Sequence, residues 1–159
     1  MILKKIVDLI YGTKSIVRKF EVNNPNEKVL AADASKGIMT TSNDEVKYGT
    51  NWINSQRAVL MLTNNRIISG KWEIDLGNIS KINLIKISSI FGSGQVLKIE
   101  TKDDKHYQFG MQINPDWVNQ QTIPLNFEKG KIKYSVFSII IRLIALALIL
   151  RWLYDIIID

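Results

Sequence analysis

The clearest hydrophobic pattern lies near the C-terminal end of the chain. Of the 19 residues at positions 136–154, 16 are apolar or aromatic. At helical rise, a segment of that length covers about 28 Å, which is close to the thickness of the hydrocarbon core of a bilayer. The pattern therefore predicts a transmembrane helix over residues 135–158. The alternative is a buried core helix, although a domain of this size rarely surrounds a helix that is apolar on nearly every side.

Residues that flank this segment predict its orientation in a membrane. Lys129, Lys131 and Lys133 precede it, and basic flanks of this kind stay on the cytoplasmic side. Trp152 and Tyr154 lie near its other end, where aromatic side chains suit the membrane–water interface. We therefore expect a single-pass membrane protein whose folded domain lies on the cytoplasmic side, with these five side chains in contact with the membrane.

Three polar residues interrupt the apolar segment: Ser138, Arg142 and Arg151. A charge at the centre of a span costs about 2.5–3.5 kcal/mol. Arg142 lies near the N-terminal end, however, and its side chain can extend back to the interface. Because polar side chains in apolar helices favour pairing with other helices, the same three residues are candidates for contact with a neighbouring membrane helix.

Residues 1–20 predict a basic amphipathic helix, which Gly12 and Thr13 can interrupt. Six apolar residues fill one arc of its helical wheel: Ile2, Leu3, Ile6, Val7, Leu9 and Ile10. Such a helix can lie among lipid headgroups, with Lys4, Lys5, Arg18 and Lys19 in contact with anionic lipid. It can equally pack against its own domain.

Residues 27–122 predict a small β domain, because short strand-like runs alternate there with turn residues. The strands are predicted at residues 46–53, 57–62, 66–69, 71–76, 79–87, 96–101 and 106–109. Turns are predicted at residues 63–65, 91–94 and 103–104. A series of short strands of this kind is typical of a barrel or a sandwich.

A helix is expected after the last of these strands. Asn114 can act as its N-cap, Pro115 suits the first helical position, and Asp116 places an acid in the first turn. The helix is predicted to end near residue 121, with Trp117 turned toward the sheet. Residues 123–134 would then be a basic linker to the apolar segment.

The order of these elements resembles that of the bacterial pleckstrin-homology-like and GRAM-like domains. The resemblance rests on Thr-Asn-Asn-Arg-Ile-Ile at residues 63–68, on Ile-Asp-Leu-Gly-Asn-Ile at residues 74–79, and on Gly-Gln-Val-Leu-Lys-Ile at residues 94–99. It implies a strongly bent, seven-stranded barrel closed by one helix, with a role in binding lipids or proteins, and many bacterial members are fused to membrane segments. The chain lacks a dense Lys/Arg cluster between the first two strands, which argues against phosphoinositide recognition.

The net charge of +6 is concentrated at the two ends of the chain. Residues 1–20 carry +4 and residues 128–159 carry +2, whereas residues 21–127 carry 11 basic and 11 acidic side chains. Basic terminal segments favour contact with an anionic surface such as a membrane. A nucleic-acid-binding protein would more often carry the excess on its folded domain, so we expect no nucleic-acid partner.

Residue types that most catalytic sites need are scarce in this chain. It has no Cys, which excludes disulfides, thiolate nucleophiles and thiolate metal sites. The single His, His106, lies in a predicted strand near Asp103 and Asp104, acids that are usual in turns. No glycine-rich phosphate-binding loop is present. We therefore expect no catalysis, no cofactor and no metal ion.

These expectations favour a membrane-anchored, pleckstrin-like binding module that acts as an adaptor or accessory subunit of a membrane protein complex. The alternative is a peripheral module that binds anionic lipid through the basic residues of its two ends. A wash at high salt separates the two, because salt releases a protein held only by headgroup charges and leaves a spanning helix in place.

Overall fold

The computed structural model of the chain describes residues 2–40, 47–48, 55–89, 92–130, 133–134 and 136–158. The helices in these ranges are α1 (Ile2–Ile10), α2 (Thr13–Asn23), α3 (Asp116–Asn119) and α4 (Val136–Ile158). The strands are β1 (Val29–Thr40), β2 (Lys47–Tyr48), β3 (Gln56–Thr63), β4 (Arg66–Ser69), β5 (Trp72–Asp75), β6 (Ile79–Ser89), β7 (Gly92–Thr101), β8 (His106–Met111), β9 (Asn126–Gly130) and β10 (Lys133–Tyr134).

Eight of these strands form one sheet in the order β5-β4-β3-β1-β8-β7-β6-β9. Neighbouring strands are antiparallel except β6 and β9, which run parallel. The two short strands β2 and β10 pair separately and in parallel. The prediction of a mainly β fold is therefore confirmed.

Strand β1 joins the two halves of the sheet. It pairs with β3 from Val29 to Gly37 and with β8 from Ser35 to Thr40. In a flat sheet, β5 and β8 would be about 19 Å apart, since four strand spacings separate them. The ring of Trp72 on β5 nevertheless lies 5.8 Å from the rings of both Tyr107 and Phe109 on β8. The sheet is therefore strongly bent, and its first half folds over β1.

One large hydrophobic cluster fills the inside of this bend. Its fully buried members include Leu60, Leu62 and Ile67 from the first half of the sheet and Leu97 and Phe109 from the second half. The side chain of Trp117, which follows β8 in the chain, is also fully buried in this cluster. The prediction that Trp117 turns toward the sheet is confirmed.

Helix α2 covers the opposite face of the first half of the sheet. Val59 and Met61 alternate with the residues of the main cluster along β3, so they lie on this second face. Val17 and Phe20 of α2 pack against them. Gly12 separates α1 from α2 with a φ of 63°, a left-handed conformation that glycine adopts without strain. The predicted N-terminal helix is thus two helices.

Most of the predicted strands are confirmed, and the differences have local causes. The central strand β1 was not predicted, because Ala, Ser and Gly residues replace the bulky residues that favour strands. Positions 92–94 belong to strand β7 and pair with β6, although a turn was predicted there. The predicted linker over residues 123–134 contains β9 and β10. Most of the predicted strand over residues 46–53 lies outside the described residues.

Helix α3 is one turn long and ends earlier than predicted. It contains 4 residues, and Gln120 follows it in an extended conformation with a ψ of 148°. The Gln120 side-chain amide donates to the backbone carbonyl of Ile123 at 2.8 Å and accepts from the backbone amide of Ile123 at 3.0 Å. These bonds close a loop that a longer helix would disrupt.

Helix α4 confirms that the apolar segment is helical. In α4, the side chains that the structure describes are those of residues 139–151 and 154. Among the described residues, no helix is long and apolar enough to cross a membrane. Passage of α4 through a membrane stays a prediction.

Candidate functional site

Helix α1 turns its polar side toward the β domain. The Lys4 ammonium lies 2.5 Å from the Asp8 carboxylate on the next helical turn and 2.6 Å from Oδ1 of Asp33 on β1. Asp8 Oδ1 also accepts hydrogen bonds from the Thr13 hydroxyl at 3.2 Å and from the backbone amide of Ala34 at 3.4 Å. Polar contacts therefore hold α1 against the domain, where an amphipathic helix would ordinarily place its apolar side.

Asp33 is the centre of this arrangement. Its side chain is 1% exposed, and its Oδ2 accepts hydrogen bonds from Asn114 Nδ2 at 2.8 Å and from Trp117 Nε1 at 2.8 Å. Together with Lys4, these contacts join α1, the central strand and the α3 turn at one carboxylate. A buried carboxylate is expensive unless it is paired and hydrogen-bonded, and here it is both.

Burial and pairing act in opposite directions on this ion pair. Burial raises the pKa of Asp33 and outweighs the lowering by Lys4, Asn114 and Trp117. For Lys4, burial lowers the pKa, but hydrogen bonds and charge interactions with Asp33 and Asp8 outweigh it, so the pKa of Lys4 is raised. The ammonium of Lys4 is therefore held by two carboxylates of the protein, those of Asp8 and Asp33. Contact of Lys4 with lipid headgroups stays a prediction.

Three residues of the apolar side of α1 face away from the domain. Ile6, Leu9 and Ile10 are 50%, 81% and 74% exposed. Lys5 lies one turn before Leu9 and is also exposed, so a basic residue borders the apolar surface. We call Ile6, Leu9 and Ile10 the α1 outer face.

Helix α4 is exposed at every position whose side chain the structure describes. Every residue from 139 to 151 is exposed, and so is Tyr154 at 63%. Consecutive exposed positions cover all sides of a helix, so no side of this segment packs against the β domain. The large apolar side chains concerned are Ile139, Ile140, Ile141, Leu143, Ile144, Leu146, Leu148, Ile149 and Leu150.

The remaining basic residues predicted to contact lipid lie at several places. Lys5, Arg18 and Lys19 are exposed on α1 and α2, and Lys129 is exposed on β9. Lys133 lies in β10, and its side chain is not among those described, while Lys131 lies outside the described residues. Of the residues predicted to contact a neighbouring helix, Arg142 and Arg151 are exposed on α4. Ser138 and Trp152 belong to α4 without a described side chain.

His106 occupies a strand position with little space around it. It is 8% exposed, and its Nε2 lies 3.3 Å from the carboxylate of Asp104, which is 90% exposed at the tip of the hairpin. The neighbouring hollow has a volume of about 10 Å³, which suits roughly one water molecule. Among the described residues, no group of three or more His, Cys, Asp or Glu side chains could hold a metal ion.

A larger open groove of about 440 Å³ runs between α2 and the first half of β1. Lys14 and Arg18 line it together with Glu21 and Asp116. Asp8 also lines it, so charges of both signs are present in the groove and neither sign dominates.

Asp33 is the structurally central residue that sequence reasoning missed. The available signal was a single acid within an otherwise apolar and small run at residues 29–34. An isolated acid in such a run indicates a buried, partnered carboxylate. Its partners Lys4, Asn114 and Trp117 are distant in sequence and could not be paired with it from the sequence alone.

The chain matches no family model, no curated protein and no solved structure.

Proposed function

We propose that this chain is a membrane-anchored, non-catalytic binding module that serves as an adaptor or accessory subunit of a membrane protein complex. Helix α4 is the anchor in this proposal, and the bent β domain is the binding module on the cytoplasmic side. The observation that carries the proposal is the unbroken exposure of residues 139–151 of α4, most of which are apolar.

Nine large apolar side chains of α4 are between 46% and 63% exposed. Complete burial of a Leu or Ile side chain is worth about 1.5–3 kcal/mol. Transfer of the exposed halves of these side chains into hydrocarbon therefore gains on the order of 10 kcal/mol in total. Water is a poor environment for this helix, and a bilayer is a good one.

The two arginines of α4 reduce this gain but do not cancel it. Arg142 costs about 2.5–3.5 kcal/mol if it lies at the centre of a bilayer, and less if it reaches an interface. Arg151 is followed one turn later by Asp155, a possible partner near the other interface. In a complex, either guanidinium can instead pair with a polar group of a neighbouring helix.

The fold supports the pleckstrin-like part of the proposal. Seven consecutive antiparallel strands, β5-β4-β3-β1-β8-β7-β6, form a bent sheet around one core. The α3 turn follows β8, which is the last of these seven strands along the chain, and places Trp117 in that core. Two features depart from the resemblance: the closing helix has only 4 residues, and β9 extends the sheet beyond β6.

The anchor is tested by replacing two of its exposed residues, Leu146→Asp with Leu148→Asp. The double variant should lose sedimentation with membranes after a carbonate wash, since two charges near the middle of the helix oppose insertion by about 5–7 kcal/mol. A matched control replaces two exposed apolar residues of the β domain, Val118→Asp with Phe127→Asp, which are 52% and 60% exposed. If the α4 variant stays with membranes as well as the control does, the anchor is not α4.

The single-pass orientation is tested with introduced cysteines, because the chain has no native Cys. Gln121→Cys marks an exposed position of the β domain, and Asp159→Cys marks a position after α4. In sealed, inside-out vesicles, a membrane-impermeant maleimide should label position 121 and leave position 159 unlabelled until detergent is added. Immediate labelling of both positions would contradict a span.

The adaptor role is tested by purification from detergent-solubilised membranes. We expect a membrane protein to co-purify with the unmodified chain and to be reduced when Arg142→Leu removes a polar contact of α4. Insertion itself should be preserved in this variant, because Leu suits hydrocarbon better than Arg. Recovery of no membrane protein above the level of an unrelated anchored control would contradict the adaptor role.

The exposed basic residues Lys5, Arg18, Lys19 and Lys129 favour a second candidate, a peripheral module that binds anionic lipid. Each basic residue near an anionic surface contributes about 1 kcal/mol, and salt screens the attraction. At about 1 M NaCl the screening length falls to about 3 Å, so the attraction to headgroups is lost. Release of the unmodified chain from membranes under this condition would favour the second candidate over the anchor.

A further inference from the structure

We propose that the α1 outer face is a second membrane-contact surface, which lies flat in the headgroup region of an anionic bilayer. The inference rests on the proposed function, because α4 would bring α1 to the same membrane. It goes further by assigning a use to Ile6, Leu9 and Ile10 and by defining which side of the β domain faces the lipid.

The orientation of α1 is fixed by its polar side. Lys4 and Asp8 face the domain, where Asp33 pairs with Lys4 at 2.6 Å and the backbone amide of Ala34 donates to Asp8 at 3.4 Å. Rotation of α1 to bury its outer face would break these contacts and leave Asp33 without its cation. A buried carboxylate without its cation is strongly unfavourable, so the contacts hold the apolar residues outward.

The charge around α1 favours lipid over a protein partner. Lys5 borders the α1 outer face, and exposed Lys14, Arg18 and Lys19 follow on α2. Residues 1–20 carry +4, whereas residues 21–127 carry no net charge. An anionic bilayer offers negative headgroups and an apolar layer side by side, which is the combination that a basic helix with an exposed apolar face requires.

The test uses the full chain with one introduced cysteine, Leu9→Cys, labelled with an environment-sensitive fluorophore. Residue 9 is 81% exposed, so the substitution leaves the core intact. The protein is reconstituted into nanodiscs of phosphatidylcholine alone or of phosphatidylcholine with about 30% phosphatidylglycerol. Phosphatidylglycerol is anionic and gives the bilayer a negative surface potential. Gln121→Cys with the same label is the control, since residue 121 is exposed on the β domain.

We expect the label at position 9 to shift to the blue and to be quenched by a nitroxide placed near the headgroups, in anionic nanodiscs more than in neutral ones. The label at position 121 should remain in water in both. Ile6→Asp with Ile10→Asp should reduce the shift at position 9 by about tenfold, because two charges oppose entry into the interface. A label at position 9 that stays in water while the protein remains in the nanodisc would overturn the inference and leave the α4 anchor intact.

Two other outcomes are equally decisive. A blue shift of the same size in lipid-free protein would show that α4 or a second copy covers the α1 outer face, and the inference would be wrong. Failure of the protein to enter nanodiscs of either composition would instead contradict the proposed anchor. The two proposals can therefore fail separately.

Discussion

The ring of Trp72 packs directly against Gly37 at the bend of the sheet, where a side chain on residue 37 would stand. A Cβ atom at Gly37 would lie 2.6 Å from Cζ3 of Trp72 and 2.7 Å from Cδ1 of Phe109. Gly37 belongs to the part of β1 that pairs with β3 on one side and β8 on the other. The missing side chain therefore leaves room for the indole of Trp72 to cross the central strand at this point.

We expect Gly37→Ala to destabilise the protein by about 1–3 kcal/mol, since the added methyl group overpacks the contact between two rings. Urea denaturation followed by tryptophan fluorescence measures the loss. Gly77→Ala is the matched control, because a Cβ there has no neighbour within 4 Å. Equal stability of the two variants would mean that Trp72 moves aside at no cost and that the bend does not need a glycine.

The carboxylate of Asp33 should be essential for stability. Asp33→Ala leaves the buried Trp117 indole N–H, the Asn114 amide and the Lys4 ammonium without their common acceptor. Breaking a buried ion pair in this way costs about 3–5 kcal/mol. Chemical denaturation measures the loss.

A control for Asp33→Ala is Asp75→Ala, which removes an exposed acid from β5 and should change the stability by less than about 0.5 kcal/mol. A loss of under about 1 kcal/mol for Asp33→Ala would mean that water replaces the missing carboxylate and that Asp33 does not hold α1 in place.

The sequence predicted local elements better than it predicted their partners. Alternation of apolar residues and the turn residues Thr63 to Asn65 located β3 and β4, because these signals are local. Strand β1 could not be predicted, because its small residues fit close tertiary contacts, such as that of Gly37 with Trp72, and do not favour strands by themselves. The sequence shows the apolar arc of α1, but it does not show which side of the helix packs against the domain. That choice depends on Asp33, which lies 29 residues after Lys4.

The contribution of Lys4 to stability should disappear at alkaline pH. The pKa of Lys4 in the folded protein is raised above its ordinary value of 10.5, since pairing with Asp33 and Asp8 outweighs burial. A raised pKa means that the folded state holds this proton more tightly than the unfolded state does. The stabilisation is therefore complete below about pH 10.5 and is lost as the pH rises through the folded-state pKa.

This pH dependence is measured as the difference in unfolding free energy between the unmodified chain and Lys4→Met. Other groups that titrate in this range, such as Lys105, are present in both chains and cancel. We expect the difference to be constant from pH 7 to about pH 10 and to shrink at higher pH. A difference that does not change up to pH 12 would mean that Lys4 stabilises the fold by packing alone.

Strand β9 should behave as part of the sheet, and this determines how firmly the β domain is held relative to α4. Residues 126–130 pair in parallel with β6, and Asn83 Nδ2 donates a 2.5 Å hydrogen bond to the Glu128 carboxylate. We therefore expect the backbone amides of β9 to exchange with solvent far more slowly than those of the exposed hairpin tip at residues 102–105.

Glu128→Ala should speed the exchange of the β9 amides about fivefold, because it removes about 1 kcal/mol of local stability. The control Glu73→Ala on β5 should leave β9 exchange unchanged. Exchange of β9 as fast as that of the hairpin tip in the unmodified chain would mean that a loose tether precedes α4, and the β domain would then be free to turn relative to its anchor.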